Sequence, residues 1–404
     1  MKVLMLGWEL PPHNSGGLGV ACYQMCRALA RRGVDIEFVL PYHADHGIDF
    51  MRVTAALPQD AGMVQRSGIA YDSMMYYFDD GRVAEYTISG QQQLYEGAIG
   101  RVVEGQQYDI IHAHDWLTFR AGLRARELLG RPLVLHVHSI ESDRAGGPGG
   151  NPLVRDIEDL AFHAADRIIA ISNFTRRAII RDYHIPADRI TVVHNAMDCA
   201  DMIPAGPPEA TTYRYLAALR AQGYRIVVNI GRLTIQKGLP NLLRAARLVI
   251  EKHARVMFLI VGSGEQYHEL VELAAQLGIA RHVIFTDFQR GKAWRDAFAI
   301  GDLFVLPSVS EPFGLTPLEA IGYGTPALIS KQSGVSEILH HALKVDHWDI
   351  AEMANQITAV VQQDVLRDEL AANASRELEG ISWMKAADRI RELYQQHAVA
   401  GAAA

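Results

Sequence analysis

Two short, near-continuous apolar runs that each end in glycine, "KVLMLG" at residues 2–7 and "RIVVNIG" at residues 225–231, constrain this chain more than any other feature. Each is followed, after a loop, by a long amphipathic helical pattern, which is how a buried parallel strand opens a βαβ unit. In the first half the alternation continues through "VDIEFVLPY", "YDIIHAHDW", "RPLVLHVHS", "ADRIIAISN" and "ITVVHNAMD". In the second it continues through "ARVMFLIVGSG", "HVIFTDF", "GDLFVLPS" and "TPALISK". The fold class expected is therefore α/β, with parallel sheets covered by helices on both faces. At 404 residues the chain exceeds the usual size of one hydrophobic core, so it should make two Rossmann-like domains. The proline-rich segment "DMIPAGPPEATTYR" reads as the linker, which puts the domains at residues 1–203 and 204–384.

Charge excludes some partners. The formal net charge is -7 and neither half is basic, so nucleic acid and anionic membrane surfaces are poor defaults. No apolar stretch approaches the ~20 residues of a membrane-spanning helix. Cys22, Cys26 and Cys199 fit no zinc-ligand spacing, and the first residues read as a strand rather than a signal peptide. A cytoplasmic location is expected.

In such sheets ligands bind beyond the carboxyl ends of the strands. Four constellations lie there. In "SEPFGLTPLEA", Glu311 follows a strand, and the amides of Gly314, Leu315 and Thr316 precede a helix opened by Pro317, where free amides favour an anion. Glu319 has two readings: the N3 member of a capping box with Thr316 as N-cap, or a ligand for a sugar diol. In "GRLTIQKG", Arg232 and Lys237 beside a strand end can neutralise a diphosphate, or can be ordinary surface charges. In "PPHNSGGLG", Gly16 and Gly17 let backbone amides approach a ligand before a helix, although the loop has no Walker lysine. Finally, "HAHDW" and "HVHS" put His112 with His114, and His136 with His138, on one face of adjacent strands. Four histidines raise a rival reading, a metal site for hydrolysis, but no matching cluster of carboxylates accompanies them.

Taken together, these stretches resemble the retaining glycosyltransferases of the GT-B fold, family 4 and its starch and glycogen synthase relatives. The resemblance spans nearly the whole chain and is strongest in "EPFGLTPLEAIGYGTPALIS". It implies transfer of a hexose, glucose above all, from ADP-glucose or UDP-glucose to a glycan acceptor such as an α-glucan. It further implies that Glu311 contacts donor-sugar hydroxyls and Glu319 the ribose. Arg232, Lys237, the amides of residues 314–316 and the Gly16-Gly17 loop would hold the diphosphate. His138 would sit against the donor sugar, and Asp115 and Glu9 would face the acceptor. The carboxy-terminal helix, residues 385–404, would cross back onto the first domain.

Fixed cations and amides that stabilise a departing diphosphate make a metal unnecessary, and the sequence contains no Asp-x-Asp. No cofactor beyond the nucleotide sugar is expected. One position departs from the synthases: Asn14 stands where they carry a lysine that helps bind ADP, which leaves the donor base open. Trp8, Trp116, Tyr76 and Tyr77 are candidates for stacking on sugars or for core packing. Other acceptors of the family (sucrose or trehalose type, lipid, cell-surface polysaccharide) and a non-catalytic sugar-binding protein stand as alternatives. The lack of a signal peptide and the Arg232-Lys237 pair argue against the last.

Overall fold

The apolar runs of the sequence fold as parallel strands, most of whose residues are buried, the exceptions concentrated in the edge strands Ile190–Val192 and Val283–Thr286. The structure is a computed structural model and describes residues 1–13, 16–57, 61–66, 74–78, 80–147 and 149–398. Asn14 lies outside the described residues, as do the last residues of the expected carboxy-terminal helix. The chain divides into two units. The first comprises residues 1–141, 151–195 and 383–404, and the second residues 142–150 and 196–382. The change of unit at 195/196 precedes the proline-rich segment, and a short piece of the first half, residues 142–150, groups with the second unit.

In the first unit, β1 (Lys2–Leu6), β2 (Asp35–Leu40) and β3 (Arg52–Ala55) are followed by β4 (Ala61–Arg66), β5 (Met74–Phe78) and β6 (Val83–Tyr86), and then by β7 (Ile110–His114), β8 (Leu133–Val137), β9 (Arg167–Ala170) and β10 (Ile190–Val192). Seven of these form one parallel sheet in the order β10-β9-β8-β7-β1-β2-β3. The other three, β4, β5 and β6, form a small antiparallel sheet that the sequence reading did not anticipate.

The helix Gly17–Arg31 ends where Gly33 takes φ 78°, a conformation that costs glycine little, and the amides of residues 32–34 return to the last carbonyls. That helix packs on the helix Trp383–Ala398, whose inner face presents Ala386, Ile390 and Tyr394. Asp388 pairs with Arg32 at 2.6 Å, and Tyr394 reaches His112 on β7.

The second unit repeats the plan. Strands β11 (Arg225–Ile230), β12 (Val256–Val261), β13 (Val283–Thr286), β14 (Leu303–Leu306), β15 (Ala327–Ser330) and β16 (Leu343–Val345) form a parallel sheet in the order β13-β12-β11-β14-β15-β16. Its core gathers Phe258, Ile260 and Val305 from the strands with Leu242, Ala246, Met353 and Ile357 from helices.

Each sheet reverses its strand order once, between β7 and β1 in the first unit and between β11 and β14 in the second. At such a point the connections diverge to opposite faces and leave a crevice at the strand ends. Glu9, Gly16, Asp115, Arg232, Lys237 and Glu311 follow those strands, His138 follows the next one, and His112, His114 and His136 lie at the carboxyl-terminal ends of β7 and β8.

Candidate functional site

In the second unit the loops after β11 and β14 are stapled together. Gly238 adopts φ 65°, and a Cβ there would stand 2.2 Å from the Pro307 carbonyl oxygen, so only glycine admits this approach. The Val309 amide donates to the Gln236 carbonyl at 2.9 Å. The result is that the Lys237 ammonium pairs with Glu311 Oε2, where Ser308 Oγ also donates at 3.1 Å. Sequence spacing had put Lys237 and Glu311 in separate motifs, and the structure brings them into one ion pair. Arg232 is exposed and makes no ion pair among the described residues.

Glu311 is also fixed through its backbone. Its amide donates to Gln332 O and its carbonyl accepts from Gly334, both at 2.9 Å, while the Val335 amide donates to Phe313 O at 2.8 Å. The turn "EPFG" is thus laid against residues 332–335, and Gly314 takes φ 96° to leave it.

The helix that follows corrects one expectation. It spans Thr316–Gly322, Leu315 is its N-cap, and no side chain caps it. Thr316 is therefore the first helical residue, and the reciprocal capping box does not form. Glu319 is instead partly buried and accepts a hydrogen bond from the Trp294 indole, and burial pushes its carboxyl up to about 7. Trp294, on the helix Gly291–Ala299, was not among the sequence candidates.

In the first unit, Gly16 is the extended N-cap and Gly17 the first residue of the helix Gly17–Arg31. The buried Glu9 carboxylate, after β1, accepts from the Gly19 amide at 3.1 Å. Asp115, after β7, is buried with φ 58° and ψ 169°, a region costly for any residue but glycine. Its Oδ1 accepts from the His138 amide at 2.6 Å and the Ser139 amide at 3.2 Å. The side chain expected on the acceptor side thus clamps the turn after β8. Trp8 and Trp116 are buried in the core, which settles them as packing residues; Tyr77 is partly buried, and the side chain of Tyr76 lies outside what is described.

The four histidines stack as the strand alternation predicts. The rings of His112 and His136 lie 5.3 Å apart at 10°, and those of His136 and His138 lie 4.4 Å apart at 14°. Burial pushes all four well below the ordinary imidazole range, His138 to about 3, so each ring is neutral near pH 7. Potential ligand atoms of His112, His114 and His136 fall within 4.8 Å of one another, as do those of Cys22, His114 and His138. Neither group contains a carboxylate to act as base in the hydrolytic reading.

Residues 15–201 match the family described as Glycosyltransferase Family 4, and residues 217–377 match that described as Glycosyl transferases group 1. The chain is 26% identical to an uncharacterized glycosyltransferase of Methanocaldococcus jannaschii over 98% of both chains. It is 28% identical to D-inositol 3-phosphate glycosyltransferase of Thermobispora bispora, over 95% of this chain and 90% of the relative. Among solved structures, sucrose-phosphate synthase from Thermosynechococcus elongatus superposes with a TM-score of 0.76 at 19% identity, covering 98% of each chain. Anabaena HepE in complex with UDP and glucose superposes with a TM-score of 0.71 at 20% identity, covering 98% of this chain and 100% of the other. At those identities the structural likeness is one of fold.

Proposed function

The chain belongs to the GT-B glycosyltransferases that pair a family 4 domain with a group 1 domain, and from that premise we propose that it moves a hexose from a nucleoside-diphosphate sugar to a hydroxyl acceptor with retention of configuration. The observation that carries the reading is the stapled pair of loops after β11 and β14. It pairs Lys237 with Glu311 at the switch point of one sheet, in the same two loops that carry Arg232 and residues 314–316.

In this reading Arg232, Lys237 and the amides take the diphosphate, Glu311 takes hydroxyls of the sugar and Glu319 the ribose. Lys237 is already held by Glu311, so its charge is in place before a donor arrives and costs little reorganisation when charge develops on the leaving oxygen. The bond from the anomeric carbon to the diphosphate breaks, the acceptor oxygen bonds to the same face, and the acceptor proton passes to the departing phosphate. The resemblance to the family also assigns the Gly16-Gly17 loop, Glu9, Asp115 and His138 of the first unit to this reaction. Glu9 and Asp115 act there by holding the helix start and the His138 turn.

The donor is ADP-glucose or UDP-glucose. For the acceptor, an α-glucan follows from the resemblance to glucan synthases. A second reading, a small phosphorylated polyol, is favoured by the inositol 3-phosphate glycosyltransferases, which match at 28% identity across nearly the whole chain.

The test is a matrix of nucleotide sugars against malto-oligosaccharides, D-inositol 3-phosphate and simple sugars, read by nucleoside diphosphate release and by the anomeric configuration of the product. Failure to release nucleoside diphosphate from any of the donors rejects the reading. A sugar adduct trapped on any side chain rejects same-face attack. Because protein cations and amides supply the charge, a chelator should leave turnover unchanged.

A further inference from the structure

The histidine stack contains two hydrogen-bonded pairs that differ in one respect. His112 Nε2 lies 3.2 Å from His136 Nδ1, and His112 Nδ1 meets the Tyr394 hydroxyl, which both donates and accepts. Nothing in that pair dictates which ring carries the shared proton. In the second pair, His114 Nδ1 lies 3.0 Å from His138 Nε2, and His114 Nε2 lies 3.0 Å from Met5 Sδ.

A thioether only accepts. A neutral imidazole has one N–H and one bare nitrogen, so the proton of His114 belongs on Nε2, facing sulfur. Its Nδ1 is then an acceptor, and the proton between the two rings belongs to His138. The reverse arrangement would set a nitrogen lone pair against a sulfur lone pair inside the core.

We propose that His114, anchored on Met5, is a positioning residue that holds His138 as its Nε2-protonated tautomer, so that Nδ1 presents a lone pair to a hydroxyl of the donor sugar. The proposal rests on the transferase reading above. Two observations support it beyond the hydrogen bonds. His138 directly follows β8 at the carboxyl end of the sheet, and Asp115 clamps its amide at 2.6 Å, so ring and backbone are both fixed. The other three ring nitrogens of this pair are all engaged, which leaves Nδ1 of His138 as the one that can face a ligand.

The test uses the full-length protein labelled with nitrogen-15 in its histidine rings, together with Met5→Leu. Leucine nearly conserves volume but accepts no hydrogen bond. In the wild type, long-range proton–nitrogen spectra should show His138 protonated on Nε2 and bare on Nδ1. In Met5→Leu the preference should loosen into a mixture of tautomers. The value of kcat/KM for the nucleotide sugar should then fall about tenfold, the size of one weakened hydrogen bond, while affinity for the nucleoside diphosphate alone holds. A purely structural role for Met5 would leave the tautomer unchanged.

Three results would overturn the proposal: a wild-type His138 protonated on Nδ1, a metal found bound between the two rings by elemental analysis, or a Met5→Leu variant with wild-type tautomer and turnover. If the wild type transfers sugar but Met5→Leu matches it, this inference falls and the transferase reading stands. If the wild type transfers no sugar from any donor, the transferase reading falls and takes the sugar hydroxyl with it, and the ring assignment is decided by the spectrum.

Discussion

Glu319 carries a carboxyl that burial pushes up to about 7, with the Trp294 indole N–H drawing it back down. A carboxyl raised in the fold binds its proton more tightly folded than unfolded. Its contribution to stability is therefore full below the ordinary glutamate range and is lost as pH rises through about 7. Ribose hydroxyls donate best to the ionised form, so nucleotide binding should run the other way. Affinity measured by calorimetry is expected to weaken up to about tenfold per pH unit below 7. Glu319→Gln should bind weakly at every pH with no inflection, and Trp294→Phe should move the inflection upward. A flat wild-type profile would remove Glu319 from the ribose.

Asp115 poses the complementary case, a strained backbone retained for what its carboxylate holds. Asp115→Gly relieves strain of about 1–3 kcal/mol and loses charge-assisted bonds of about the same size. Urea denaturation should find it near wild type in stability but at least tenfold slower in transfer. Asp115→Ala keeps the strain, loses the bonds and should lose about 2–3 kcal/mol. Side chains inside contiguous motifs, such as Glu311, Lys237 and the paired histidines, were legible in the sequence. Trp294 on Glu319 and Met5 under His114 were not, because each contact is made by folding and leaves no spacing to read. The capping box was misread by one residue. Its T-x-x-E spacing is present, but the helix begins at Thr316 itself, so Glu319 falls one position too late to reach back.

Among elements, the parallel strands were the most legible. β7, β8, β12, β14 and β15 are buried along their whole length, and burial on both faces demands the uninterrupted apolar runs that the sequence displays. The strands β4 to β6 escaped because each is only four to six residues long, with polarity mixed in β4 and β6 and uniformly apolar or aromatic in β5, so none carries a readable alternation. The stapling of the loops after β11 and β14 was hidden too, since Gly238 looks like any helix-opening glycine until Pro307 is found against it. Gly238→Ala should cost about 3 kcal/mol in the second unit. By moving Lys237 away from Glu311 it should also weaken nucleoside diphosphate binding by more than tenfold. Calorimetry of the folded variant decides this, and unchanged affinity would mean the staple does not position the site.

At the scale of the molecule, a two-part α/β chain followed from length and alternation, whereas the points where the polypeptide changes unit did not. Prolines mark where a chain cannot be helical or internally paired, and the change at 195/196 falls in the loop before them. The helix Trp383–Ala398 buries Trp383, Ile390, Leu393 and Tyr394 within the first unit. Those four side chains represent on the order of 6–12 kcal/mol of burial, comparable to the whole stability of a domain. Ending the chain at residue 382 should therefore abolish the cooperative unfolding of the first unit while the second still melts as a unit, read by calorimetry and hydrogen exchange. Persistence of two transitions would show the helix to be dispensable.

The return of that helix also sets an order in time. A ribosome makes β1 before the second unit and the helix that packs beside the histidines of β7 only after the whole second unit has emerged. For most of synthesis the sheet begun first waits with the side that receives Tyr394 uncovered, while the part begun later can already close. A premature stop just past the second unit would then injure the sheet that was made before it, and nascent-chain chaperones would find their docking surface there.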